Sequence, residues 1–248
     1  MRSQLLVLGV ALFVGHGGQP LQSPRVDRGA QAPRPAGTAD ANATEFLAAA
    51  RGATPAICSL AALPLGDHWG GHGAPMDPAA AETALVEWAL KPSMDERDLT
   101  VLEAGLNDND ACVRSMAARL LAAGGPEGVR ILLGGLSAER AESRRVAAEG
   151  LGHAEDATTA TALLRRLRDD DAIVRATVVW ALGRMEATDA VDDIGALLSD
   201  PVPTVRLAAV EALGELEVDS SIDLLLPMLA DDDARVRAAT ARSIGELH

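Results

Sequence analysis

Apolar positions in the second half of the chain follow a helical rhythm that resets every 30 to 31 residues. Aligning on one arginine brings five lines into register: Val113-Arg114, Ser143-Arg144, Val174-Arg175, Val205-Arg206 and Val236-Arg237, with arginine spacings of 30, 31, 31 and 31. Apolar or small residues recur three positions after that arginine (Ala117, Ala147, Val178, Ala209, Thr240) and seven after it (Leu121, Leu151, Leu182, Leu213, Ile244). Together with the position just before the arginine they form one stripe of an α-helix. The eighth position is Gly152, Gly183, Gly214 or Gly245 in the last four lines and Ala122 in the first.

Upstream of each arginine lies another apolar set: Val101/Leu102/Leu106, Ile131/Leu132/Leu136, Leu163/Leu164/Leu167, Ile194/Leu197/Leu198 and Leu224/Leu225/Leu229. Each unit therefore predicts a helix pair, and acidic turns divide the two helices in several of them. Asp110, Asp171 and Asp233 stand four residues before their arginines, where a carboxylate caps the free N–H groups of the second helix and complements its dipole. One such pair cannot bury both its faces, whereas five stacked pairs share a continuous core. The expected fold is all-α, an α-α superhelix of five helix pairs over residues 98–248.

The recurring pattern D-x-x-V-R-x-x-A-x-x-A-L-G, as in DDDAIVRATVVWALG and DDDARVRAATARSIG, resembles HEAT repeats of the phycobilisome-lyase-like type. That resemblance implies a right-handed superhelix of antiparallel pairs, with the second helices lining its concave face. It also implies inter-repeat polar contacts through the Asp and Arg positions: Asp110, Arg114, Arg144, Asp171, Arg175, Arg206, Asp233 and Arg237. Arg140 and Val202 replace the Asp in the second and fourth units, so a ladder built on that column is expected to break there. Enzymes of related repeat families are not favoured. The sequence has no His-Glu dipeptide of the kind that holds metal in deoxyhypusine hydroxylases, and nothing in it marks a bilin site.

The first half reads differently. Arg2 precedes an eleven-residue apolar run, Leu5 to Gly15, which is too short to span a bilayer and suits a secretory signal over residues 1–17. Residues 18–42 are rich in Pro, Gly, Ala and Gln without apolar periodicity and read as a disordered linker. Residues 43–97 hold short helical patterns around a loop, 66–78, and are expected to form an irregular helical cap over the first repeat. The array stops at His248 without an obvious polar capping helix, and the expectation is either part of a longer repeat protein or an exposed self-associating end.

Composition narrows the chemistry. Hydrophobic residues make up 48% of the chain but aromatics only 2%, so the core must come from Ala, Leu, Val and Ile. The net charge of −14 repels a phosphate backbone and speaks against a nucleic-acid partner. Cys58 and Cys112 are the only cysteines, and the expectation is two buried free thiols, with a disulfide as the alternative in an exported protein. No cofactor is expected, and neither is stable membrane insertion after signal cleavage.

Three constellations bear on function. His68 and His72, four apart in a glycine-rich loop, are weak metal-ligand candidates, since the loop does not preorganise them. Asp169-Asp170-Asp171 and Asp231-Asp232-Asp233 lack the alternating spacing of a calcium loop and read as helix caps and solvated turns. Five residues after the register arginine stand Arg119, Glu149, Trp180, Glu211 and Arg242, a column charged in every unit but one. Trp180, with Glu149, His153, Arg184, Glu211 and Glu215 gathered around it, is the candidate protein-binding anchor. The alternative is that Trp180 lies flat on its neighbours as additional core. The leading expectation is an exported, non-enzymatic scaffold that binds a protein through its second helices. The alternative is a metal- or small-ligand-binding accessory protein using the His68–His72 loop.

Overall fold

A computed structural model describes residues 42–51, 94–218 and 220–247, and every described element is helical. Helix α1 (Ala43–Ala50) is followed by five pairs. They are α2 (Glu96–Gly105) with α3 (Ala111–Ala123), α4 (Gly125–Gly135) with α5 (Ala141–Ala154), and α6 (Ala160–Leu164) with α7 (Ala172–Arg184). The last two are α8 (Val191–Ala196) with α9 (Pro203–Glu215), and α10 (Ser221–Leu225) with α11 (Ala234–Glu246). In the last three pairs the first helix is short and flanked by 3-10 turns, at Ala157–Thr159, Thr188–Ala190, Leu197–Ser199 and Leu226–Ala230.

The aspartates expected to cap do so. Asp110 Oδ1 accepts from the backbone N–H groups of Cys112 and Val113, Asp171 Oδ1 from Ile173 and Val174, and Asp233 Oδ1 from Arg235. In α9 the cap position is Val202, and Pro203 opens the helix where a missing N–H costs nothing.

Successive second helices pack closely on one another, while successive first helices touch lightly. Small residues permit this. A Cβ placed on Gly152 would lie 3.0 Å from Ala181 Cα, and one on Gly214 would lie 2.7 Å from Ser243 Cβ, well inside normal contact. The core is the aliphatic seam between the two layers, from Leu102 and Met116 through Leu132, Leu151, Leu182 and Leu213 to Leu225 and Val236.

Helix α1 closes the first pair. Ala43 and Leu47 are buried, Ala43 N–H donates to Asp98 Oδ1 at 2.9 Å, and Arg51 pairs with Asp108. Cys112 is disulfide-bonded and no free cysteine is present among the described residues, so the expectation of two free thiols is overturned. The only other cysteine in the sequence, Cys58, lies outside the described residues.

A second repeat column emerges at the ends of the second helices. Gly125, Glu155, Glu186 and Glu217 all adopt left-handed backbone, with φ of 67°, 50°, 51° and 50°. Only the first unit uses the residue type that suits this conformation; the other three place an exposed glutamate there.

Candidate functional site

Two systems of polar side chains run along the array, one structural and one facing outward. The structural system starts at the register arginines. Nη1 of each one donates to carbonyls of its own inter-helix turn: Arg114 to Asp108 and Asn109, Arg144 to Ala138 and Glu139, Arg175 to Asp169 and Asp170, Arg206 to Asp200, and Arg237 to Asp231 and Asp232. In the middle units the Nε and Nη2 edge also grips a carboxylate of the next turn. Arg144 holds Asp169 at 2.8 and 2.8 Å, Arg175 holds Asp200 at 2.8 and 2.9 Å, and Arg206 holds Asp231 at 2.7 and 2.8 Å.

The rung carboxylate is therefore not the capping aspartate but the residue six positions before the arginine. This corrects the expected ladder through Asp110, Asp171 and Asp233. It also moves the break. Val202 does not interrupt the ladder, because Asp200 carries that rung; the interruption falls at Ala138, the equivalent position of the second unit. Arg114, only 7% exposed, consequently leaves its Nε without a hydrogen-bond partner among the described residues. At the other end of the column, Asp108 is gripped by Arg51 of α1.

Electrostatics agrees with this geometry. Burial pushes the Asp169 and Asp200 carboxyls up, but the forks of Arg144 and Arg175 together with the backbone N–H of Asp171 and Val202 bring both below the usual range. Arg206 holds Asp231 down, and Arg51 does the same for Asp108.

The outward system, on the face of the second helices opposite the core stripe, is the column five residues after each register arginine; Arg119 and Glu149 are buried in it, Trp180 and Glu211 half-buried and Arg242 exposed. Arg119 Nη2 meets Glu149 Oε1 at 3.3 Å across the first two units, and Glu149 also accepts from Ser115 and Arg145. Arg242 meets Glu211 at 3.1 Å across the last two. Between these inter-repeat ion pairs stands Trp180, half-buried. Its ring edge rests where a Cβ on Gly152 would stand, 2.7 Å from Cζ3, and its centroid is 5.1 Å from that of His153 in an edge-on arrangement at 67°.

A groove of about 440 Å³ opens over Trp180. Its floor is Ile173, Ala176, Thr177 and Trp180 of α7 with Thr204 and Leu207 of α9. Arg145, Glu149 and His153 of α5 close one end, and Arg235 of α11 the other. Ile173 is 51% exposed, one of three exposed large aliphatic side chains among the described residues, with Leu226 and Leu229.

Of the sequence candidates, the structure brings Trp180, Glu149 and His153 into the groove and leaves Arg184, Glu211 and Glu215 outside its lining. Arg184 pairs with Glu155. Glu211 and Glu215 both have carboxyl pKa values raised by burial, opposed at Glu211 by Arg242 and reinforced at Glu215 by the Glu211 charge. Glu215 is exposed as a residue, but its Oε2 lies 3.0 Å from where a Cβ on Gly183 would stand, so the carboxylate rests against α7. His68 and His72 lie outside the described residues. Among the described residues no cluster of three or more His, Cys, Asp or Glu is gathered for a metal ion, and no helix is long and apolar enough to cross a membrane.

Ile173, Ala176, Thr177, Thr204, Leu207, Arg145 and Arg235 do not stand out in the sequence one by one. The signal was available in the alignment. Two residues before the register arginine stand Cys112, Glu142, Ile173, Thr204 and Arg235; one residue after it stand Ser115, Arg145, Ala176, Leu207 and Ala238. Both columns share a helix face with Trp180; both carry a charge in the second unit, Glu142 and Arg145, and none in the third and fourth.

A family profile of HEAT repeats matches residues 99–180 and 160–245. No curated protein matches. Among solved structures, an engineered protein is similar at 20% identity, covering 83% of this chain and 96% of its own, with a TM-score of 0.50. The complex of CpcE and CpcF of phycocyanin lyase from Nostoc sp. is similar at 25% identity, covering 72% and 80%, with a TM-score of 0.45. A designed armadillo repeat protein in complex with the peptide (KR)4 is similar at 16% identity, covering 76% and 98%, with a TM-score of 0.43.

Proposed function

This chain belongs to the HEAT-repeat family, and we propose that it is an exported, non-enzymatic scaffold that binds a protein partner through the groove over Trp180. The observation that carries this reading is the interruption of the outward column. Charged members on either side satisfy one another across repeats, while the central member is a half-buried tryptophan at the head of an apolar groove. Aromatic side chains set in a partly desolvated hollow and ringed by polar groups are the usual anchors of protein interfaces. Export is supported by the apolar run Leu5–Gly15, and a disulfide at Cys112 suits an oxidising compartment.

The test compares the protein with its Trp180→Ala variant. Proteins retained by the wild type and lost by the variant, with Tm lowered by no more than a few degrees, support the reading. Equal retention by both, or a variant that unfolds, places Trp180 in the core instead. Export is tested by mass spectrometry of the mature N-terminus; a chain that retains Met1 in the cytosolic fraction overturns it.

A further inference from the structure

Resting on the reading that the groove over Trp180 is a docking site, we infer that its occupant is an uncharged protein segment anchored by apolar side chains. The lining holds three formally charged residues, and each has an ion-pair partner within the chain. Glu149 is shared by Arg119, Arg145 and the Ser115 hydroxyl, with Arg145 Nη1 at 2.7 Å. Arg235, at the far end, grips Asp233 through Nε and Nη2 at 3.1 and 2.8 Å.

The cations just beyond the lining are paired as well, Arg184 with Glu155 and Arg242 with Glu211. An anionic occupant would have to take an arginine from a carboxylate that already holds it, and a basic occupant would have to displace an arginine from Glu149. Either occupant therefore breaks a contact that the free chain already makes. The floor between these pairs offers aliphatic, methyl and indole surface, with Ile173 standing 51% exposed over it. Only apolar side chains convert that surface into binding free energy, while the pairs form a rim that excludes water.

The test uses the full chain and three blocked peptides that share one Gly-Ser-Gln frame. They carry Leu and Phe, Lys and Arg, or Asp and Glu at the same anchor positions. Binding is read from the NMR signal of the Trp180 indole N–H, assigned by its loss in Trp180→Phe. The Leu/Phe peptide should bind at least about tenfold more tightly than either charged peptide. Its affinity should change by less than about twofold as salt is raised, since no net ion pair forms. A charged peptide that binds best, or an affinity that falls steeply with salt, overturns the inference while leaving the docking site in place. If none of the three moves the signal, the docking reading and the inference fall together. Ile173→Glu supplies the second arm. This position is exposed in the first turn of α7, where a carboxylate suits the helix dipole, so the fold is retained. The variant should lose the Leu/Phe peptide and prefer the Lys/Arg peptide; an unchanged order of preference overturns the inference.

Discussion

The missing rung at Ala138 gives the most exacting test of the structural reading. Its backbone is that of the other rungs. The N–H of Ala138 donates to Gly135 O as that of Asp169 does to Arg166 O and that of Asp200 to Leu197 O. Its carbonyl accepts from Arg144 at 3.0 Å, as that of Asp169 accepts from Arg175 at 2.8 Å. On the facing side Arg114 is buried, with its Nη1 on the turn carbonyls and its Nε unpaired among the described residues. Ala138→Asp therefore introduces a carboxylate where the repeat elsewhere places one and where a buried guanidinium is waiting for it.

The expected gain is set by three contributions. A bidentate pair with a charged donor is worth more than the roughly 0–1 kcal/mol of an exposed ion pair. The same carboxylate should accept from the N–H of Arg140, as Asp169 accepts from Asp171 and Asp200 from Val202, adding about 0.5–1 kcal/mol. Desolvating the new charge takes some of this back. The net is about 1–2 kcal/mol, or about 2–8 °C in Tm for a chain of this size. Thermal melts by circular dichroism at neutral pH measure it, repeated in an Arg114→Gln background. The gain should be halved or lost in that background, and lost in acid once the carboxylate is protonated. An unchanged or lower Tm for Ala138→Asp, or an equal gain without Arg114, would refute the ladder as a source of stability.

Two further outcomes follow from the remaining polar positions. Glu186 occupies left-handed backbone with φ 51°, so Glu186→Gly should raise stability by about 0.5–1 kcal/mol in denaturant titration, whereas the same change at a right-handed exposed helical site should lower it. The pH profile should have two limbs. The depressed pKa values of Asp108, Asp169, Asp200 and Asp231 contribute stability that is present above the unfolded value of about 3.9 and is lost as pH falls through the folded values. The raised values of Glu211 and Glu215 act in the opposite sense, because the folded state disfavours their charged forms and stability improves as they protonate on acidification from neutrality. Glu215→Gln should therefore raise Tm at neutral pH and flatten the upper limb; a lower Tm would show that the Glu215 charge is stabilising.

The repeat was legible because it is written in volume. Leu151, Leu182 and Leu213 recur where each second helix enters the core, and Gly152, Gly183 and Gly214 follow where the next helix must come close. Pattern alone therefore fixes helix pairing and stacking. The polar rungs were harder. Asp171 and Asp169 are neighbours in one acidic triplet, and a one-dimensional pattern cannot say which caps the local helix and which reaches an arginine 25 positions back. Both are aspartates near a turn, and only the path of the Arg144 side chain separates their roles. The left-handed column escaped for another reason. Three of its four members are glutamates, which carry none of the signal that glycine gives at such a site.

The groove was half legible, and the division is informative. Trp180 was visible as an exception in a charged column, but the floor beside it was not, because Ile173, Ala176, Thr204 and Leu207 look like ordinary helix residues one by one. They become a site only when the columns are compared, since the same faces carry Glu142 and Arg145 in the second unit. A solenoid keeps its core by repeating the inward stripe and is free to vary the outward one, because each outward residue answers mainly to its neighbours in adjacent repeats. In this chain that freedom was used in two ways. The end units satisfied the outward column with reciprocal charges, Arg119 with Glu149 and Glu211 with Arg242. The third unit departed from it, and the uncharged positions of α7 and α9 then adjoined one another to make a single apolar surface. Charge alternation does not call for that departure, since a cation at position 180 would stand between Glu149 and Glu211 in the column. On the proposed docking reading the departure answers to what the surface meets, and the Trp180→Ala comparison of binding with Tm separates that from a packing role.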